Sequence, residues 1–255
     1  MAYFRCVGGN DSVNILKGKS DPTSPEGNDG QIYLKCVDYE NDYTIKEYLE
    51  ASGNQSIDTN VNIDPTSYFE LKGAFTTNQT NNNIYGLGFS YKESNVLVAS
   101  NKIYNQIGGS PNVNITYDTN EHIFKADASA LYIDSTQTAN PNWNNVPAGQ
   151  RIRLFATAYG GIFDSSRISY AKIYYCKMYK EDNLIRHFIP AERNSDNVLG
   201  MLDIVNGVFY TNSGSGSFTA GPTTTPISGS PVIETYAKVN GVWQNLIGTN
   251  INDIN

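Results

Sequence analysis

Residues 151–159 read RIRLFATAY, and the alternation in that stretch decides the fold class. Ile152, Leu154, Ala156 and Ala158 take one face of an extended chain, while Arg151, Arg153, Phe155, Thr157 and Tyr159 take the other. Successive side chains of a strand point to opposite sides, so the pattern is that of a β-strand with one buried face. The second face mixes charge with aromatic surface, which suits either the flank of a second sheet or the lining of a ligand face.

Outward from this strand, comparable runs recur in both directions. QIYLKCV (31–37), SYFELKGAF (67–75), IYGLGFSY (84–91), NVLVAS (95–100), VNITY (113–117), HIFKADA (122–128) and ALYIDS (130–135) precede it. AKIYYCKMYK (171–180), LIRHFIP (184–190), GVFY (207–210), ETYAKV (234–239) and GVWQNLI (241–247) follow. Short strands with turn residues between them are what an antiparallel sandwich or barrel produces. Helical periodicity is confined to short pieces at Tyr43–Glu50 and Ala191–Asn194. The composition agrees: among 255 residues there are 18 Tyr, 22 Gly and 31 Asn, with only 17% charged, and these types favour strands and turns.

VNGVFY (205–210) and VNGVWQ (239–244) share a core followed by an aromatic. Asn-Gly between β-formers predicts a two-residue type I′ hairpin turn at Asn206-Gly207 and again at Asn240-Gly241. Two turn-rich connectors, SDPTSPEGNDG (20–30) and AGPTTTPISGSP (220–231), read as linkers. The hairpin at Asn240 then lies outside the main domain and needs a neighbour, since an isolated hairpin is marginal in water. QIYLKCV is the candidate, which gives a small β module built from both ends of the chain with a sandwich inserted between.

The formal net charge of −7 argues against nucleic acid or an anionic membrane as partner. No secretory signal pattern opens the sequence and no apolar run reaches the length of a membrane span. The expectation is a protein of the cytoplasm or of a particle assembled there. Cys6, Cys36 and Cys176 are odd in number and widely spaced, and read as reduced thiols.

Two stretches carry a resemblance. YTIKEYLEASGNQSIDTNVN (43–62) resembles the opening strand of laminin-G-like, concanavalin A-like sandwiches in phage and prophage tail proteins of Gram-positive gut bacteria. IYYCKMYKEDNLIRHFIPAERNSDNVLGMLDIVNGVFYTNSGSGSFTAG (173–221) resembles their closing segment. There K-I-Y-x-x-K-I-Y is followed by L-V-R-x-F-I-P, then G-x-x-D, then N-G-x-F-Y-T-N-x-G-x-G-x-F. Arg186, Phe188, Pro190, Gly200, Asp203, Asn206, Gly207, Gly214, Gly216 and Phe218 fit it. Between the two, NITYDTNEHIFKADASALYIDS fits loosely as paired central strands, and the flanks resemble halves of a small tail-fibre module. The resemblance implies an all-β concanavalin A-like jelly roll over 43–221. Residues 1–42 and 222–255 then form the small module. It further implies a virion tail or tail-fibre component that binds host cell-surface glycan, contacts other tail proteins and forms a homo-oligomer, a trimer by analogy with tail fibres. A purely structural decoration protein and a polysaccharide depolymerase are the alternatives.

Catalytic signals are weak. Glycosidases need two carboxylates across the scissile bond, and the E-x-D-x-(x)-E run of sandwich hydrolases does not occur. Glu47 and Glu50 read as surface charges, and His122 and His187 lack a Ser or Cys partner motif. No cofactor is expected. Calcium is the one metal weighed, with Asp38, Glu40 and Asp42 as weak ligand candidates and Asp118 and Asp134 as further loop carboxylates. For a glycan, an aromatic platform with amide hydrogen bonds is the expected chemistry. TANPNWNNVPAG (138–149) offers Trp143 between Asn142 and Asn144, and the neighbouring strand adds Arg153 and Tyr159.

Overall fold

The computed structural model describes residues 15–18, 32–36, 39–62, 66–80, 82–87, 94–109, 112–139, 141–142, 144, 146, 151–156, 158–159, 162–163, 169–225, 232–240 and 242–245. The described strands in chain order begin with β1 (Ile15–Gly18) and β2 (Ile32–Cys36), followed by a single helical turn, α1 (Tyr39–Asp42). Next come β3 (Tyr43–Ile45), β4 (Leu49–Gly53), β5 (Ile57–Asn62), β6 (Ser67–Phe75), β7 (Asn82–Leu87) and β8 (Ser94–Ala99). They continue with β9 (Lys102–Gln106), β10 (Asn112–Thr116), β11 (His122–Ala126), β12 (Ala130–Ile133), β13 (Thr136–Ala139) and β14 (Arg151–Leu154). β15 (Ala158–Tyr159), β16 (Ile162–Phe163), β17 (Ser169–Lys180), β18 (Asn183–Arg193) and β19 (Val198–Asp203) follow. The last are β20 (Val208–Thr211), β21 (Thr219–Ala220), β22 (Val232–Val239) and β23 (Val242–Asn245). The chain is all-β.

It divides into two compact units, 1–39 with 228–255, and 40–227. The first contains a four-stranded sheet ordered β1-β2-β22-β23, in which β2 pairs antiparallel with β22 and β1 pairs parallel with β2. Residues from both ends of the chain therefore share one sheet. Lys238 and Trp243 face each other across β22 and β23, the ammonium 5.6 Å from the ring centroid.

The larger unit is built on two large antiparallel sheets, with β15 and β16 paired as a separate two-stranded ribbon. One runs β10-β9-β8-β7-β14-β5; the other runs β13-β12-β11-β6-β17-β18-β19-β20, with β3, β4 and β21 paired alongside. A single core cluster joins them, with Ile57, Ile84, Val96, Ile103 and Leu154 from the first and Leu49, Phe69, Leu71, Phe124 and Phe188 from the second. That is the signature of a sandwich, and each such side chain fully buried is worth about 1.5–3 kcal/mol. Asn105 ties the layers where no apolar contact could: its buried amide donates from β9 to the carbonyls of Lys125 and Tyr132 at 2.9 and 2.8 Å.

Several sequence expectations are corrected. Tyr43–Glu50 is not helical but two short strands around Glu47, because Ile45 and Leu49 gain partners across the sheet: β3 on β18, β4 on β17 and β21. Ala191–Asn194 is likewise strand as far as Arg193, paired with β3 on one side and β19 on the other. Pro190 is tolerated between them because it falls where β18 exchanges β17 for β3, a position that needs no N–H. In the loosely matched middle, β11 and β12 pair, but β10 belongs to the opposite sheet. In RIRLFATAY the alternation holds through Leu154 and then breaks. Phe155 has φ 60° and is fully buried, its ring tilted against that of Phe218 with centroids 5.1 Å apart.

The two Asn-Gly words fold differently. Asn240 has φ 52° in a two-residue turn between paired Val239 and Val242. At Asn206-Gly207 the last pair is Asp203 with Val208, so the loop is Ile204–Gly207, closed by the Gly207 amide donating to the Asp203 carbonyl at 2.8 Å. Two-residue turns with both φ positive occur instead at Ser100-Asn101 and Glu181-Asp182, neither containing glycine.

Candidate functional site

The described residues include only part of the sequence-predicted set. Trp143 and Asp38 lie outside the described residues, as do the side chains of Tyr159 and Glu40. Asn142 is half-buried and its amide N–H donates to the Ile107 carbonyl at 3.2 Å; Asn144 is exposed. Arg153 is engaged by its neighbours, pairing with Asp58 at 3.2 Å and donating to Ser213 Oγ at 3.0 Å. No cluster of three or more His, Cys, Asp or Glu suited to a metal is found among the described residues.

A better-formed site lies where β20 leaves the sheet. Past Thr211 the chain enters TNSGSGSF (211–218), and its hydrogen bonds account for the spacing of that motif. Asn212 Oδ1 accepts from the amides of Ser56 and Gly214 at 3.0 and 2.9 Å, and its Nδ2 donates to the Gly216 carbonyl at 2.9 Å. The Ser213 and Ser215 amides donate to the carbonyls of Ser56 and Asn54 at 2.8 and 3.0 Å. Gln55 Nε2 holds the Ser217 carbonyl at 2.9 Å. Gly216 supplies the left-handed backbone the loop needs, with φ 78°. Phe218 then plugs into the core.

The last β19–β20 pair is Gly200 with Thr211, so Val198 and Leu199 face a gap instead of a strand. The gap is a hollow of about 380 Å³ lined by Asn197, Val198, Leu199, Thr211, Asn212, Gly216, Ser217 and Phe218. Its floor is apolar, its rim is amide and hydroxyl, and none of its lining side chains ionises.

Across the β18–β19 turn lies a second hollow of about 380 Å³, lined by Asn41, Asp42, Tyr43, Arg193, Asn194 and Ser195. Here the chemistry is charged and aromatic. Arg193 holds Asp196 through two hydrogen bonds, Nε to Oδ1 at 3.0 Å and Nη2 to Oδ2 at 2.6 Å. Its guanidinium lies 5.3 Å from the centroid of Phe209, which in turn packs against Tyr43 at 5.2 Å. Gly200 makes this possible, since a side chain there would collide with the Phe209 ring and the Tyr210 carbonyl. Burial raises the Tyr43 pKa, with Asp42 adding to the rise and Arg193 opposing it.

No protein-family model matches the chain, and no curated protein is significantly similar to it. The reading of the site therefore rests on its geometry. Sequence inspection missed it because its lining comes from two segments, 197–199 and 211–218, that become neighbours only through the register of β19 on β20. The signal that was present, N-x-G-x-G-x-F, marks a rigid loop and not a ligand.

The fold also joins three residues that the sequence left separate. His122, nearly buried at the start of β11, donates from Nδ1 to Asp134 at 2.6 Å and from Nε2 to Asp118 at 2.9 Å. Both nitrogens can donate only in the imidazolium. Burial alone would lower the His122 pKa, but the hydrogen bonds to Asp134 and Asp118 outweigh it and the pKa is raised. At Asp118 burial is likewise outweighed, and the hydrogen bond from His122 leads the causes that lower its pKa. The histidine's contribution to stability is complete below its ordinary pKa of about 6.5 and is lost as pH rises through the raised folded value. Asp118 contributes above its ordinary value and loses that contribution as pH falls. The clamp is therefore strongest between about pH 4 and 6.5. Urea midpoints at pH 5.5 and 8.5 are expected to fall more for the native chain than for His122→Gln; parallel falls would show that the clamp is not coupled to stability.

Proposed function

We propose that the larger unit is a concanavalin A-like jelly roll of the phage-tail type and that it binds a neutral glycan in the uncharged hollow beside β19. The observation that carries this reading is the lining itself: Leu199 and Phe218 offer an apolar floor to a sugar face, while Asn197, Thr211 and Ser217 offer amide and hydroxyl groups to its rim. The hydrogen-bonded loop supports it, because a preorganised rim spares ordering entropy on binding. The reading is non-catalytic. Among the described residues the carboxylates with shifted pKa values, Glu70, Asp118, Glu121, Asp127 and Asp196, are all lowered, opposite to what a glycosidase general acid needs. One shallow site of millimolar affinity supplies only about 4 kcal/mol. Several copies in one particle raise avidity by roughly 10²–10⁴, which is the role proposed for a homo-oligomer, a trimer in the tail-fibre analogy, assembled through the small module.

The test is retention on immobilised cell-wall and capsular polysaccharides, with reducing ends assayed in the supernatant. Retention without new reducing ends, abolished in Thr211→Lys at unchanged melting temperature, is the expected result. Thr211 is exposed, so the lysine charges the rim and leaves the core alone. New reducing ends would overturn the reading in favour of a depolymerase, and no retention on any polymer in favour of a structural component.

A further inference from the structure

We infer that the hollow lined by Asp42, Tyr43 and Arg193 is a second sugar subsite, and that one neutral polysaccharide chain is held on both flanks of the β18–β19 turn. This subsite rests on the glycan reading of the first hollow and narrows the ligand class. The ligand is a chain longer than one sugar unit and carries no acidic groups.

The placement comes from register. Ala191 of β18 pairs with Ile45 of β3 on one side and with Gly200 of β19 on the other, and β19 in turn pairs with β20. β3 begins at Tyr43, opposite Arg193, and β20 ends at Thr211, opposite Gly200. The turn at 194–197 has one hollow on each flank, the first beside Thr211 and the second beside Tyr43. Three strand spacings of about 4.8 Å separate β3 from β20, about 14 Å along the sheet. A ligand that touches both hollows must be a chain.

The turn between them is fastened at both ends. The Asn194 amide N–H donates to the Asp42 carbonyl and its Nδ2 to the Asn41 carbonyl, both at 2.9 Å, and its Oδ1 accepts from Thr44 at 2.7 Å. The Asn197 amide donates to the Arg193 carbonyl at 2.8 Å, and Asp196 Oδ1 accepts from the Val198 amide at 3.3 Å. A ridge held this way keeps the two hollows in fixed relation, which spares ordering entropy when one chain fills both.

The second hollow has the parts of a sugar site. Tyr43, half-buried and packed on Phe209, offers a ring. Asn41 and Ser195 offer amide and hydroxyl groups. Asp42 adds a carboxylate, whose lone pairs accept about four hydrogen bonds and can serve adjacent hydroxyls. The charge then selects. Asp196 occupies one edge of the Arg193 guanidinium, which leaves one cation against two carboxylates. An acidic polymer meets net negative charge there, and a neutral one does not.

The experiment cleaves the cell-wall and capsular polysaccharides by partial acid hydrolysis and measures binding of size-fractionated fragments to the full chain by calorimetry. For the native protein, affinity should rise about tenfold or more once fragments span both hollows. Ser195→Lys, at an exposed position, and Asp42→Ala should each erase that gain and leave the shortest fragments bound as before. A distortion passed through the turn to the first hollow would weaken short and long fragments alike, and would overturn the inference. It also fails if affinity does not grow with length, if both variants keep the gain, or if uronate- or phosphate-bearing fragments bind tighter than neutral ones. Thr211→Lys separates the two readings. Short-fragment binding that it abolishes, with no gain in the native protein from length, sinks the second subsite alone; no binding of any fragment sinks the first hollow as well.

Discussion

Asp203→Ala is expected to cost the larger unit about 3–5 kcal/mol, the range for removing one partner of a buried ion pair. Asp203 has no exposed surface. Its Oδ1 accepts from the amides of His187 and Val205 at 2.9 and 3.1 Å, its Oδ2 from Asn206 at 2.7 Å, and Arg186 Nε stands 3.4 Å away. Alanine leaves those donors without an acceptor and Arg186 without its counter-charge. The whole stability of a domain is only about 5–15 kcal/mol, so the loss is a large fraction of it. The melting temperature should drop by about 6–20 °C, at about 2–4 °C per kcal/mol for a unit of this size. Asp203→Asn should fall between the two, because Oδ1 can still serve the backbone amides while the new NH2 faces Asn206 and Arg186. Urea denaturation of the three proteins checks the order. A loss below about 1 kcal/mol for alanine, typical of one ordinary hydrogen bond, would mean that the network does not hold the β19–β20 hairpin together.

Gly214→Ala is the second large effect, and its cause is purely steric. A methyl there would overlap the carbonyl oxygen of Asn54, and that neighbour is backbone, which cannot swing aside as a side-chain tip can. The loop must lift, and with it the Ser213–Ser56 and Ser215–Asn54 hydrogen bonds. Overpacking and the lost bonds together should cost about 2–4 kcal/mol. Gly216→Ala makes the contrast. Its methyl would meet only the flexible Gln55 amide, at 3.1 Å, and its cost is the positive φ, about 1–2 kcal/mol. Equilibrium denaturation should therefore rank Gly214→Ala below Gly216→Ala. The reverse order would show that backbone conformation, not the Asn54 contact, controls this loop. Because the loop is the rim of the hollow, polysaccharide retention should disappear in Gly214→Ala even at temperatures where the sandwich remains folded.

The class of the fold was legible because it depends on local chemistry. Alternation in 151–154 survives in the structure, since a half-buried strand can place its apolar residues only one way, whereas in 171–180 a bulge at Tyr174–Tyr175 shifts the buried set from Ala171 and Ile173 to Cys176 and Met178. The turn at Asn240 was legible for the same reason: a turn position with positive φ favours Asn or Gly, and Asn240 has φ 52°. The identical word at Asn206 was not, because Asp203 intervenes from below, and a buried carboxylate that collects three hydrogen-bond donors stabilises a longer loop than the dipeptide alone would choose. Glu181-Asp182 fails from the other side, adopting the tight turn without glycine because the long β17–β18 ladder imposes it.

The candidate site divides along the same line. Sequence alone determined that the chain is a series of strands, that 211–218 is a glycine-patterned loop, and that the chain's chemistry is amide, hydroxyl and tyrosine more than charge. It could not determine which of those groups meet. The hollow exists because β20 stops pairing at Gly200 and Thr211, the Arg193–Phe209–Tyr43 stack because Gly200 leaves room across β19, and the Asp118–His122–Asp134 clamp because a loop and a hairpin turn converge on the end of β11. Each is a juxtaposition of residues distant along the chain, fixed by register and packing. Local propensity carries no information about register between strands that the chain reaches separately; only the closing of the sheets decides it.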